Sequence, residues 1–128
     1  MSTSRLAVCF EQIQGNYWYG AYGDFRVIMM KDCEWVNATR MCKSGGKELY
    51  HWKENANSKR LIKSLENLLE QEASNAISQP AIGIPSPAFY PLKYITTANY
   101  TNEDKLIAGI YVHCDLVPSI AGWISSEF

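Results

Sequence analysis

Apolar and polar positions alternate over the first quarter of the chain and then switch to a helical period. Residues 6–13 alternate loosely and are rich in β-formers, which predicts an opening strand. Residues 16–22 carry Tyr17, Trp18, Tyr19 and Tyr22 between Gly15, Gly20 and Gly23, a pattern that suits a strand or a bend. Residues 25–30 form a third β-rich stretch. A turn at 31–34 then returns the chain through Trp35-Val36 as the second strand of a hairpin. Asn37 follows at once as a helix N-cap, because its side chain can accept an otherwise unpaired backbone N–H. Residues 38–43 predict a short helix that Ser44-Gly45-Gly46 ends, glycine supplying the left-handed residue.

The helical period is clearest in the middle of the chain. Residues 47–55 predict a second short helix, with Leu49, Trp52 and Ala56 along its buried stripe. Asn57 or Ser58 is placed to cap a third helix over residues 58–72. There Leu61, Ile62, Leu65, Leu68 and Leu69 fall within about 120° of a 3.6-residue wheel. Residues 78–91 hold four prolines, Pro80, Pro85, Pro87 and Pro91, and read as a connector. Residues 92–98 and 106–112 then predict two strands of a hairpin around a polar turn at 99–104. Asp115 is placed to cap a closing helix whose apolar face is Leu116, Ile120, Trp123 and Ile124.

Composition narrows the class. The chain has 128 residues, 47% hydrophobic and 20% charged, which is one domain's worth with enough apolar surface for a single core. Its longest apolar runs fall well short of the roughly 20 residues of a membrane span. The first residues lead into no signal-peptide core, so a soluble intracellular domain with no membrane partner is expected. In that setting Cys9, Cys33, Cys42 and Cys114 are expected as reduced thiols. A zinc site could be drawn from Cys33, Cys42, His51 and His113-Cys114. It lacks the closely spaced ligand pairs that structural zinc sites use, so neither metal nor cofactor is expected.

Charge adds a local feature to a neutral chain. The formal net charge is -1, yet Arg40, Lys43, Lys47, Lys53, Lys59, Arg60 and Lys63 face only Glu48 and Glu54 between positions 40 and 63, a local excess of five. The third helix also runs against its macrodipole, which favours acids in the first turn and bases in the last. Lys59, Arg60 and Lys63 open it; Glu66, Glu70 and Glu72 close it. Such a helix start suits a phosphate, and Asn67, one turn beyond Lys63, can pair with a base edge. The alternative is a solvated face whose cations pair with nearby acids. The first short helix, its glycine turn and the basic helix make a helix-turn-helix-like succession, and the later hairpin, with Lys93 and Lys105 near its strands and tip, could serve as a wing.

Three ordered blocks resemble one family. They are Val36-Asn37-Ala38-Thr39-Arg40-Met41-Cys42-Lys43 followed by Gly45-Gly46-Lys47 and Trp52; Gly109-Ile110-Tyr111-Val112-His113-Cys114-Asp115-Leu116; and Ile120-Ala121-Gly122-Trp123-Ile124-Ser125-Ser126-Glu127-Phe128. Over roughly residues 17–128 the chain is similar to the KilA-N domain of large DNA viruses and phages. With Tyr17-Trp18-Tyr19-Gly20 it most resembles the poxvirus KilA-N/RING-type branch. Cys114 and Ser126 stand where the family usually has proline, substitutions that bear on the ends of the closing helix. Asn37, Gly45, Gly46, Trp52 and Trp123 read as cap, turn and core residues rather than ligand contacts.

The resemblance implies an α+β fold: a winged-helix-like KilA-N/APSES-type domain with an N-terminal hairpin, helix-turn-helix-like helices, a wing hairpin and a closing helix. The length and the closing helix, which should be finishing just at Phe128, lead to the expectation of a single domain over 1–128, core about 17–128, cut from a longer protein. The resemblance also implies binding of double-stranded DNA, mostly through phosphates with limited sequence preference, and leaves A·T-rich and single-stranded DNA open. Lys47, Lys53, Lys59, Arg60, Lys63 and Lys93 are the expected phosphate contacts; Asn57, Ser64 and Asn67 are the expected polar ones. The alternative is a protein-interaction module of a KilA-N/RING-type ubiquitin ligase, using Tyr17, Tyr19 and Tyr22 as a patch. Catalysis by a Cys42–His51 pair is not expected, since neither a metal array nor a phosphate loop accompanies it. The implied location is the cytoplasm of an infected host cell, at viral replication sites, with the nucleus as the other possibility.

Overall fold

A computed structural model describes residues 8–76, 90–97 and 101–125. Its elements in chain order are β1 (Val8–Gln14), β2 (Tyr17–Tyr22), β3 (Phe25–Met30), β4 (Val36–Asn37), α1 (Ala38–Ser44), α2 (Leu49–Glu54), α3 (Ala56–Ala76), β5 (Leu92–Ile95), α4 (Asn102–Ile107), β6 (Gly109–Val112) and α5 (Val117–Ser125). The strands form one antiparallel sheet in the order β1-β2-β3-β4-β6-β5. The architecture is α+β. Among the described residues no helix is long and apolar enough to cross a membrane.

Strand alternation gives the sheet two apolar faces. Val27 and Met29 of β3, Val36 of β4 and Val112 of β6 point to one face. They meet Met41 and Cys42 of α1, Leu49 and Trp52 of α2, Ile62 and Leu65 of α3, and Ile120 and Ile124 of α5. On the other face Ile28, Met30 and Tyr111 form a smaller cluster under Tyr17, Tyr19, Trp35 and Leu106. Trp52, 1% exposed, donates its indole N–H to Ser119 Oγ at 3.2 Å, pinning α2 to α5.

The junction of β4 and α1 is the polar centre of the core. Asn37, fully buried, accepts the Arg40 N–H at 3.0 Å and so caps α1 as its sequence position predicts. Its amide nitrogen donates to the carbonyls of Ile107 and Ala108, both at 3.2 Å. The Ile110 N–H donates to Thr39 Oγ1 at 3.0 Å, and the Tyr111 hydroxyl to the Ile107 carbonyl at 2.8 Å. Gly109 sits at φ +148° against this amide; a Cβ there would lie 2.6 Å from Asn37 Oδ1. At the far end of α1, Lys47 N–H bonds the Cys42 carbonyl and Gly46 N–H the Lys43 carbonyl, a Schellman closure with Gly46 at φ +76°.

Several boundaries differ from the pattern-based expectation. The stretch expected as a polar turn and strand start holds α4. Thr101 Oγ1 accepts the Asp104 N–H at 3.0 Å, and Asp104 accepts the Thr101 N–H at 3.3 Å. This capping box drives a helix where the run of polar residues suggested only a turn. β6 accordingly begins at Gly109, and β5 and β6 pair as expected but through a helical connection. Asp115 is not the cap of the closing segment. His113 Nδ1 accepts the Asp115 N–H at 3.0 Å and opens a 3-10 turn over Cys114–Leu116 that leads into α5. The third helix starts at Ala56 rather than residue 58 and runs on to Ala76, because Asn55, not Asn57 or Ser58, accepts the free Asn57 N–H at 2.9 Å. Residues 78–89 of the expected connector, 6–7 of the opening strand, 98 of the first hairpin strand and 99–100 of the expected turn lie outside the described residues.

The Asn37 network predicts coupled costs. Asn37→Ala is expected to lose about 2–4 kcal/mol in urea unfolding, from a lost cap, the lost donor to the Ala108 carbonyl and an Ile107 carbonyl left with the Tyr111 hydroxyl alone. Gly109→Ala is expected to cost less in the Asn37→Ala background than in the wild type, because the clashing amide is gone; a double-mutant cycle measures this. Burial also pushes the Cys42 thiol up from the ordinary 9.0 to about 11, and raises the Tyr111 phenol. The folded thiol holds its proton after the unfolded one has released it. Its contribution is therefore complete below pH 9 and lost as pH rises through about 11. Urea midpoints should fall over that window, and Cys42→Ala should flatten the fall.

Candidate nucleic-acid interface

The long helix α3 presents the residues that the charge pattern singled out. Ser58, Ile62 and Leu65 are buried and Leu69 packs against the core, which fixes the inward stripe. Leu61 and Leu68 lie on its flank and are 36% and 47% exposed, so the apolar face is narrower than the five-residue stripe implied. Turned away from the core are Asn57, Lys59, Arg60, Lys63, Ser64 and Asn67, all exposed. Arg60 donates from Nη2 to Asn57 Oδ1, which ties two of these side chains to each other. Among the described residues no carboxylate lies within 4.0 Å of the charged groups of Lys53, Lys59, Arg60 or Lys63. The expected alternative, in which these cations are consumed by ion pairs, is not the arrangement found.

Lys53 of α2 joins this surface. With Lys59 and Lys63 it lines an open cleft of about 320 Å³, completed by Glu54, Ile62, Glu66 and Tyr90. Three lysines thus share the cleft with two carboxylates, which lower its potential without pairing to it.

Two expected contacts lie elsewhere. Lys47 holds its Nζ 4.5 Å from the centroid of the Trp123 ring and donates to the Trp123 carbonyl at 3.5 Å, so it fastens the α1–α2 turn to α5. Lys93 is paired with Tyr111 in the β5–β6 register, and Tyr111 belongs to the smaller cluster. Lys93 therefore projects from the sheet face opposite the one that packs on α3. The sequence places Lys93 on a wing hairpin, over an expected strand at 92–98, but does not assign the face of the sheet from which it projects.

A second open cleft, of about 430 Å³, is lined by Tyr19, Arg26, Val27, Ile28, Arg40, Lys43 and Ser44. Arg40 and Lys43 belong to the basic stretch but have no expected contact, and Arg26 lies outside that stretch. The signal available for Arg26 was a lone guanidinium inside an otherwise apolar strand.

Cys42 and His51 do not assemble as a pair. Cys42 is fully buried with its thiol held protonated, while His51 is exposed and lies against the Tyr50 ring at 4.4 Å. Among the described residues the five candidate ligands drawn from the sequence do not gather into one group. His113, Cys114 and Asp115 bring donor atoms within 4.8 Å of one another, but His113 Nδ1 already accepts the Asp115 N–H. Of the expected aromatic patch, Tyr17 packs on Tyr111 with ring centroids 5.7 Å apart, Tyr19 lies beneath Arg26, and Tyr22 packs against the main core.

The model of the KilA-N domain matches residues 20–128. The chain belongs to the KilA-N domain family. It is 33% identical over 121 residues to a KilA-N domain-containing protein of Invertebrate iridescent virus 6, covering 94% of this chain and 30% of that protein. It is 36% identical over 121 residues to one of Acanthamoeba polyphaga mimivirus, covering 94% of this chain and 22% of that protein. An uncharacterised protein of fowlpox virus (strain NVSL) is 30% identical over 123 residues, 96% of this chain and 71% of that protein. The chain thus spans less than a third of the length of the first two relatives. No solved structure shows a significant match. KilA-N domains are in general DNA-binding rather than catalytic, and the viral setting agrees with the resemblance of the three sequence blocks.

The placement of Lys47 separates packing from ligand contact. Lys47→Ala is expected to lower stability by about 1 kcal/mol through the lost ring contact. It is expected to leave the salt dependence of DNA binding unchanged, as read by urea unfolding and by fluorescence anisotropy on the same protein.

Proposed function

We propose that this KilA-N domain binds double-stranded DNA through the outward face of α3, mostly by phosphate contacts. Lys53, Lys59, Arg60 and Lys63 neutralise phosphates; Asn57, Ser64 and Asn67 supply polar contacts at the groove. The supporting observation is the alignment of Lys59, Arg60, Lys63 and Asn67 on one exposed arc of a helix whose other side is locked into the core, with the three cations free of carboxylate partners among the described residues. Cations at this end add to the positive end of the macrodipole, a local cost that a polyanion would reverse. The preceding helices α1 and α2 present α3 in the manner of a helix-turn-helix. Contacts carried mainly by phosphates give limited sequence preference. The domain acts as the DNA-binding part of a longer viral protein at cytoplasmic replication sites of the infected cell, which imaging of the tagged full protein tests.

Phosphate binding releases counterions, so log K should fall with log salt at about -0.9 per phosphate on duplex DNA. Reversing Lys59→Glu and Lys63→Glu together should weaken duplex binding at least 100-fold with an unchanged circular dichroism spectrum and melting temperature. Anisotropy titrations with random duplex, A·T-rich duplex, single-stranded and RNA probes measure this. Wild-type affinity in the double variant would remove α3 from the interface.

A further inference from the structure

The second cleft has a charge distribution that the α3 surface lacks. Arg26, Arg40 and Lys43 contribute three cations to its lining, and among the described residues no carboxylate lines it. Two elements supply them. Arg26 rises from β3, in register with Ala21 of β2, on the same parity as Ile28 and Met30. It therefore leaves the sheet on the face away from α3. Arg40 and Lys43 come from α1, which begins where the two-residue strand β4 ends and continues between β3 and β6. The cleft is the seam between that helix and the β3 edge it leaves unpaired.

Two of the three cations are held in place. The Arg26 guanidinium carbon lies 4.4 Å from the centroid of the Tyr19 ring and 5.6 Å from that of Phe10. This accounts for an otherwise unexplained Phe10, 53% exposed on the edge strand β1. Ring faces attract the guanidinium plane and limit its rotation, yet leave its N–H edge available. Among the described residues that edge donates no hydrogen bond. Arg40 donates from Nη2 to the Lys105 carbonyl at 2.6 Å, which fixes its head beside the cleft and leaves the other guanidinium donors over. Lys43 is exposed and has no partner among the described residues. Pre-positioned guanidinium donors next to an ammonium, with no acid among the described lining residues, match the oxygens of a phosphate diester better than any neutral ligand.

We infer that the Arg26–Arg40–Lys43 cleft is a second phosphate site, which takes the backbone of a nucleic-acid strand on the sheet face opposite α3. The occupant is a backbone rather than a lone phosphate because the cleft is open and its cations are spread over two elements, so one tetrahedral anion would leave part of the charge unmatched. Lys93 projects from the same sheet face and extends its positive character. A domain with phosphate sites on both sides of its sheet can hold two duplex segments at once. The second site rests on the nucleic-acid reading of the domain but not on the assignment of α3; the holding of two duplexes at once uses both.

The test compares wild type, Arg26→Gln/Lys43→Gln, and Lys59→Glu/Lys63→Glu by anisotropy on a labelled duplex from 50 to 300 mM salt, roughly the range over which counterion release dominates. Arg26→Gln/Lys43→Gln should weaken binding about 10-fold at the lowest salt and make the log–log slope shallower by about 2, at about -0.9 per lost contact. An unchanged melting temperature shows that the fold is intact. Lys43→Gln alone, a substitution of an exposed side chain, should carry about half the slope change. Energy transfer between donor- and acceptor-labelled duplexes should appear with wild type and vanish with either double variant. Inorganic phosphate at millimolar concentration should shift the Tyr19 and Lys43 amide resonances far less than a short oligonucleotide does; equal shifts would make this a free-anion site and overturn the backbone assignment. Wild-type affinity and slope in Arg26→Gln/Lys43→Gln would overturn the second site and leave α3 untouched. A loss there, with none in Lys59→Glu/Lys63→Glu, would overturn the α3 reading and leave this one standing. No binding of any duplex by wild type would overturn both.

Discussion

A single buried amide holds the two halves of the molecule in register. Asn37 caps α1 with its oxygen and ties down the α4–β6 corner with its nitrogen. No apolar residue could do either, and a carboxylate could do only the first, since it has no donor for the Ile107 and Ala108 carbonyls. The arrangement also dictates Gly109, because a Cβ at that position would fall on the amide oxygen. Position 37 and position 109 are thus one constraint seen from two strands, and both β4 and β6 are short enough that little else sets their register.

That constraint has a consequence for the surface. By turning a strand into a helix after two residues, the chain ends the β3–β4 pairing early and sets α1 beside the open part of β3. The same event delivers α2 and α3 to one side of the sheet and leaves the Arg40–Lys43 side of α1 accessible from the other. Positive charge that is contiguous in the sequence is thereby divided. Lys53, Lys59, Arg60 and Lys63 go with α3; Arg40 and Lys43 go with Arg26; and Lys47 is spent on Trp123. A net charge of -1 conceals this, since the acids sit largely in other segments.

Much of the fold was legible in the residue pattern, for local reasons. The three N-terminal strands, the Asn37 cap, the glycine closure of α1, the amphipathic α3 and the closing helix all follow from short-range periodicity, cap chemistry and turn chemistry. Two departures were also local and could have been found: Thr101 with Asp104 has capping-box spacing, and Asn55 is as good a cap residue as Asn57. The site was legible only in part. The outward arc of α3 follows from the wheel, and that arc is where the structure places Lys59, Arg60, Lys63, Ser64 and Asn67.

The sequence by itself determined which side of each helix is apolar, where α1 starts and stops, and that cations gather between positions 40 and 63, because each of these depends on neighbours within a few residues. Only the tertiary structure decided which cations share a surface. The side of the sheet to which Lys93 and Arg26 point depends on pairing register with strands far away in the chain, and the burial of Lys47 against Trp123 depends on α5 returning to the α1–α2 turn. Charges act through space, over roughly a Debye length of 8–10 Å, whereas sequence order records only covalent distance. A basic run is therefore visible in the chain, but a basic face is made by packing.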